Sequence, residues 1–171
     1  MSRGLQSGGL QAELKQKVPF SSREQEAYLS LMRTVDALQA QVEARLKDFG
    51  LTGTQYNALR ILRGAGPDGL PCREIGDRMI TRDPDITRLL NRLEERGLVE
   101  RTRAKHDRRV IYGKINAAGL KHLREMDGPM EKYGREMLRH VGPEKLKQLI
   151  ELLELVRSRT AFHRRDAERA E

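Results

Sequence analysis

The sequence predicts an all-α fold with a small β-wing, and three observations predict it. Residues 83–97 carry Ile86, Leu89, Leu90 and Leu93 at i, i+3, i+4 and i+7, the spacing of a helix that buries one face. Residues 101–109 are a basic run, after which Val110, Ile111 and Tyr112 supply β-prone side chains for a strand that returns along residues 98–101. Apolar stripes at helical spacing flank this region on both sides, over residues 28–49 and 146–156.

The elements follow in order. Residues 1–20, rich in Gly, Ser and Gln without a sustained period, read as a disordered N-terminal arm. Residues 21–49 form a long helix whose Tyr28, Leu31, Val35, Leu38 and Val42 make a narrow stripe suited to another helix, with Gly50 as its stop. Thr54 then caps a second helix bearing Tyr56, Leu59 and Leu62, and the loop of residues 64–69 leads to Leu70, a minimal strand. A short helix from Cys72 to Ile80 comes next. Asp83 suits the N-cap and Pro84 the first position of the following helix, since Pro needs no amide donor there, and Gly97 ends it in a left-handed conformation. Asn116 caps a further helix, with a kink expected at Gly128-Pro129, and Gly142-Pro143 opens the last one. That last helix is apolar over more than one face, through Leu146, Leu149, Ile150, Leu153 and Val156 beside Leu152 and Leu155. A chain of 171 residues has little core left to cover it, so subunit association is expected. The organisation is therefore an arm (1–20), a dimerisation helix (21–49), a winged helix-turn-helix (50–115), two further dimerisation helices (116–160) and a charged tail (161–171).

Composition limits the function classes. The formal charge of +8 and a pI near 9.9 suit a partner that is a polyanion, although Asp and Glu still number 25. Clustering is the stronger signal, and Arg101, Arg103, Lys105, Arg108 and Arg109 gather around Asp107 in the hairpin. One cysteine excludes an internal disulfide framework or a Cys-rich zinc site, and no stretch approaches the roughly 20 apolar residues of a membrane span. The four histidines show no ligand spacing, and no nucleophile elbow, Gly-rich phosphate loop or metal signature occurs. The expectation is a cytoplasmic protein that is not an enzyme, with no cofactor and no membrane partner.

The chemistry of the central stretch points to DNA. Arg88 and Asn91 lie on the free face of the 83–97 helix, and their side chains suit bidentate contacts to guanine and adenine edges. Asp85 and Thr87 stand near them. Arg101, Arg103 and Lys105 are candidates for phosphate contacts, and the adjacent Arg108 and Arg109 for phosphates or a narrow minor groove. A carboxylate would repel phosphate, so Asp107 is expected to shape the wing, where it can orient Arg109 through a charge-assisted pair. Cys72 opens a helix, where the dipole would lower its pKa and make it a redox candidate beside the plainer role of packing. Two other functions fit a winged helix: a protein-interaction module, or an architectural DNA binder without sequence preference.

Residues 74–120, EIGDRMITRDPDITRLLNRLEERGLVERTRAKHDRRVIYGKINAAGL, resemble the MarR family of bacterial transcriptional regulators. The wing pattern D-x-R is here Asp107 and Arg109, and Ile115, Asn116 and Gly119 follow where the family often has Leu, Thr and Gly. The resemblance runs from about Ser22 to Thr160. It implies a homodimer built through the N- and C-terminal helices, each winged helix presenting its recognition helix to a major groove of a pseudo-palindromic operator. It also implies a repressor or activator relieved by a small-molecule effector.

Overall fold

The computed structural model describes residues 9–81, 85–104, 107 and 109–167, with side chains to residue 158. In chain order the elements are α1 (Leu10–Glu13), α2 (Arg23–Lys47), α3 (Gly53–Ala65), β1 (Leu70–Pro71), α4 (Cys72–Arg78), α5 (Ile86–Glu95), β2 (Val99–Arg103), β3 (Ile111–Ile115), α6 (Ala117–Leu138), a 3₁₀ turn (Arg139–Val141) and α7 (Pro143–Ala167). The three strands form an antiparallel sheet in the order β1-β3-β2. Val99 pairs with Ile115 and Arg103 with Ile111, while Leu70 pairs with Gly113. Two compact units meet in sequence at Leu120.

The first unit holds the winged helix. Leu59 and Leu62 of α3, Ile75 of α4, and Leu90 and Leu93 of α5 are wholly buried, with Val99 of β2 beside them in the core. Each such leucine contributes on the order of 1.5–3 kcal/mol by leaving water. Gly97 (φ +68°) closes α5 as the spacing predicts, its N–H reaching the Glu94 carbonyl at 2.8 Å while Leu98 N–H reaches Leu93 at 3.0 Å. Asn116 is the N-cap of α6, its Oδ1 accepting from Gly119 N–H at 2.9 Å and its Nδ2 donating to the Gly97 carbonyl at 2.9 Å. Gly119 is required by close approach, since a methyl group there would overlap the Leu98 carbonyl oxygen.

Several boundaries differ from those the sequence suggests. Thr52, not Thr54, caps α3: its Oγ1 accepts from Gln55 N–H at 3.2 Å and Gln55 Oε1 accepts from Thr52 N–H at 3.1 Å. This reciprocal pair satisfies two helix-end amides, which Thr54, already inside the helix, is in no position to do. The expected cap at Asp83 and the first position at Pro84 lie outside the described residues; Asp85 is the N-cap of α5, accepting from Arg88 N–H at 2.8 Å. The N-terminal arm is not structureless throughout, because Leu10 is buried and the single turn α1 packs on α2. A lone turn has no period for a sequence pattern to show. α6 runs on through Pro129, as its period predicts, while α7 extends past residue 160 to Ala167, a stretch without Gly or Pro to stop it.

The second unit comprises α6 from Lys121 onward, the 3₁₀ turn and α7. Ile150, Leu152, Leu155 and Val156 of α7 are 52–67% exposed. A groove of about 730 Å³ is lined there by Leu138, Leu146, Leu149, Ile150 and Leu153 among others. In the first unit, Tyr28, Met32 and Val35 of α2 are likewise exposed. No helix among the described residues is long and apolar enough to cross a membrane.

Candidate nucleic-acid interface

Helix α5 forms because its apolar residues share one face. Leu89, Leu90 and Leu93 are buried and Ile86 is half-buried, while Thr87, Arg88 and Arg92 are exposed. Asp85 starts the helix and its carboxylate is engaged with the Arg88 amide, so a structural duty accounts for this residue. Arg88 and Arg92, one helical turn apart, line a cleft of about 390 Å³ with Thr52, Thr54 and Gln55 at the N-terminus of α3. Arg92 was not among the residues singled out from the sequence; its i, i+4 relation to Arg88 is the signal that marks it. The carboxylate of Asp85 also lines the cleft, and the Gly53 and Gln55 amides at the start of α3 are already held by Glu43 and Thr52, so its capacity for anionic oxygen atoms rests on the two guanidinium groups.

Asn91 is only partly on the free face. It is half-buried, and its Oδ1 accepts from Nη1 of Arg101 on β2. Arg101 also gives Nε to Glu94 Oε2 at 2.7 Å, and its backbone N–H meets Glu94 Oε1 at 3.1 Å. Instead of standing free on the strand for phosphate, Arg101 thus braces the wing against α5. The sequence hides this brace because the partners are separated by the Gly97 turn.

The hairpin closes through Ala104 N–H to the Val110 carbonyl at 2.9 Å and Val110 N–H to the Asp107 carbonyl at 3.0 Å. Asp107 Oδ1 accepts from the backbone N–H of Arg109 at 2.9 Å. Asp107 therefore shapes the turn, as expected, and among the described residues it does so through the Arg109 backbone and not through a charge-assisted side-chain pair. Arg103 and Arg109 are exposed. Lys105, Arg108 and His106 lie outside the described residues.

Cys72 is half-buried at the start of α4. Burial pushes its thiol above the ordinary range, against the opposing charge of Arg101. The lowered pKa expected from the helix dipole is thereby reversed: desolvation of the thiolate outweighs the favourable field. Among the described residues no group of His, Cys, Asp or Glu has the geometry to hold a metal ion.

Residues 49–110 match the sequence pattern of the MarR family. A crystal structure of a MarR transcription factor from Planctomyces limnophilus is 43% identical, with 80% of this chain and 99% of that chain aligned at a TM-score of 0.62. The transcriptional regulator PA4135 is 31% identical over 77% of this chain and 95% of its own, with a TM-score of 0.66. NadR, crystallised in complex with 4-hydroxyphenylacetate, is 26% identical over 81% of this chain and 97% of its own, with a TM-score of 0.62. A capped amphipathic helix, a basic antiparallel wing and likeness to these regulators over about four fifths of the chain lead to one assignment: the chain belongs to the MarR family of transcription factors.

Proposed function

We propose that the chain is a sequence-specific, double-stranded-DNA-binding transcriptional repressor that acts in the cytoplasm as a homodimer and is released from its operator by a small-molecule effector. The observation that carries this reading is α5 itself, which buries its leucines and leaves Thr87, Arg88 and Arg92 exposed beside a wing bearing Arg103 and Arg109. Arg88 and Thr87 read base edges in the major groove, Arg103 and Arg92 meet phosphates, and Arg109 enters the minor groove. Lys105 and Arg108 add to the basic wing by sequence. The exposed apolar residues of α2 and α7 supply the dimer surface. Two-fold symmetry then calls for a pseudo-palindromic operator with half-sites about 10 base pairs apart.

The effector is a phenolic carboxylate or a similar amphipathic molecule, by analogy with the 4-hydroxyphenylacetate held by NadR. By linkage it binds free dimer more tightly than DNA-bound dimer. Titration of selected operator and random duplex across a salt series tests the whole reading. Arg88→Ala is expected to cost on the order of 1–3 kcal/mol at the operator and less on random DNA, and Arg103→Ala to lower the salt slope by about one. Equal affinity for operator and random duplex would instead mark an architectural DNA binder. Salt-independent association would mark a protein-interaction module.

A further inference from the structure

The amide of Asn91 is held from one side. Arg101 Nη2 lies 2.6 Å from Glu94 Oε2, which also accepts from Nε at 2.7 Å, so the guanidinium plane is fixed by a two-pronged ion pair. The pair is partly shielded, the two side chains being 26% and 38% exposed. With its plane fixed, Arg101 aims Nη1 at Asn91. A guanidinium has donors only, so the atom of Asn91 facing it is the carbonyl oxygen. The NH₂ of Asn91 is then the group left for DNA, and among the described residues it has no hydrogen-bond partner.

An Asn with both amide atoms free reads adenine, donating to N7 and accepting from N6–H. With its oxygen occupied, that second contact is lost, and adenine N6–H₂ faces a donor with a donor. Guanine presents two adjacent acceptors, N7 and O6, which the two protons of one NH₂ can share. We propose that Arg101 is a positioning residue for base recognition: by holding the Asn91 carbonyl it makes Asn91 a donor-only reader, selecting guanine over adenine at one base pair of each half-site. This rests on α5 being the recognition helix, as proposed above. Because Glu94 neutralises it, Arg101 adds no counterion release of its own.

The test selects operators from a pool randomised at every position, using the full chain. Asn91→Ala identifies the base pair whose preference relaxes, and the parent is expected to favour guanine there. Glu94→Gln combined with Arg101→Met removes one cation and one carboxylate together. It should shift preference at that pair toward adenine on the order of tenfold, with the salt slope unchanged. Asn91→Asp keeps an acceptor toward Arg101 but has no donor for DNA, so the guanine preference should vanish while thermal melting shows a folded protein. Unchanged preference in the double variant overturns the proposal. So does Arg101→Met alone lowering the salt slope by about one with preference intact, because Arg101 would then be a phosphate contact. Should the double variant not fold, Asn91→Asp decides, and retained guanine preference refutes the assignment. A parent protein without any sequence preference would defeat the recognition-helix reading itself, a result distinct from these.

Discussion

Two leucine-rich helices of this chain have opposite fates. In α5, Leu89, Leu90 and Leu93 are 0–6% exposed, while in α7, Leu152 and Leu155 are 60% and 67% exposed. The first set is satisfied within one chain. The second leaves apolar surface in water, where each side chain forfeits on the order of 1.5–3 kcal/mol that burial would provide. Similar residues at similar spacing thus meet different ends: the α5 stripe builds the scaffold that presents Arg88, and the α7 stripe is left for another molecule to cover, a second copy in the proposed dimer.

The largest effect expected from breaking this contrast is at α7. Leu152→Glu together with Leu155→Glu places charges at the proposed dimer surface without disturbing residues buried in the chain's own core, so the protein should sediment as a folded monomer. An unchanged mass with an unchanged melting curve would move the interface elsewhere. Leu90→Ala comes next. Removing a wholly buried side chain should cost about 2–5 kcal/mol in chemical unfolding of the winged helix. In the background of the dissociated α7 double variant the same loss should persist, since Leu90 is covered by its own chain; a loss that disappears there would show that α5 is also completed by the partner. Asn116→Ala should remove an N-cap and one further hydrogen bond, at about 1–2 kcal/mol. A change below about 0.5 kcal/mol would mean that water replaces both bonds. The smallest effect is at Tyr133, whose buried hydroxyl finds no partner among the described residues. Tyr133→Phe should be within about 0.5 kcal/mol of the parent or slightly more stable, because an unmade bond leaves nothing to lose. A loss well above that would reveal a partner for the hydroxyl.

Features governed by neighbours in sequence were legible before any coordinates. The i, i+3, i+4 leucines, Gly97 as a helix stop, Asn116 as a cap and Leu70 as a minimal strand all depend on spacing that a reader of the chain can count. The start of α3 was legible in principle too, since Thr52 and Gln55 have capping-box spacing, but Thr54 offered a rival hydroxyl. Contacts across a turn were not legible. Asn91 and Glu94 look like solvent-facing helix residues and Arg101 like one of several strand cations; only the fold of Gly97 brings them together. Cys72 makes a related point, because its place at a helix start is visible in sequence and its burial is not. The α7 stripe shows the limit from the other side: periodicity reports that a face is apolar, not which molecule covers it.

The Asn116 side chain joins two helix ends through one short linkage. Its nitrogen holds the carbonyl of Gly97, just past α5, and its oxygen holds the amide of Gly119 in the first turn of α6. With a single methylene between backbone and amide, the joint has little slack. It behaves as a coupling pin: rotation imposed on the first turn of α6 either drags the end of α5 with it or shears one of the two bonds.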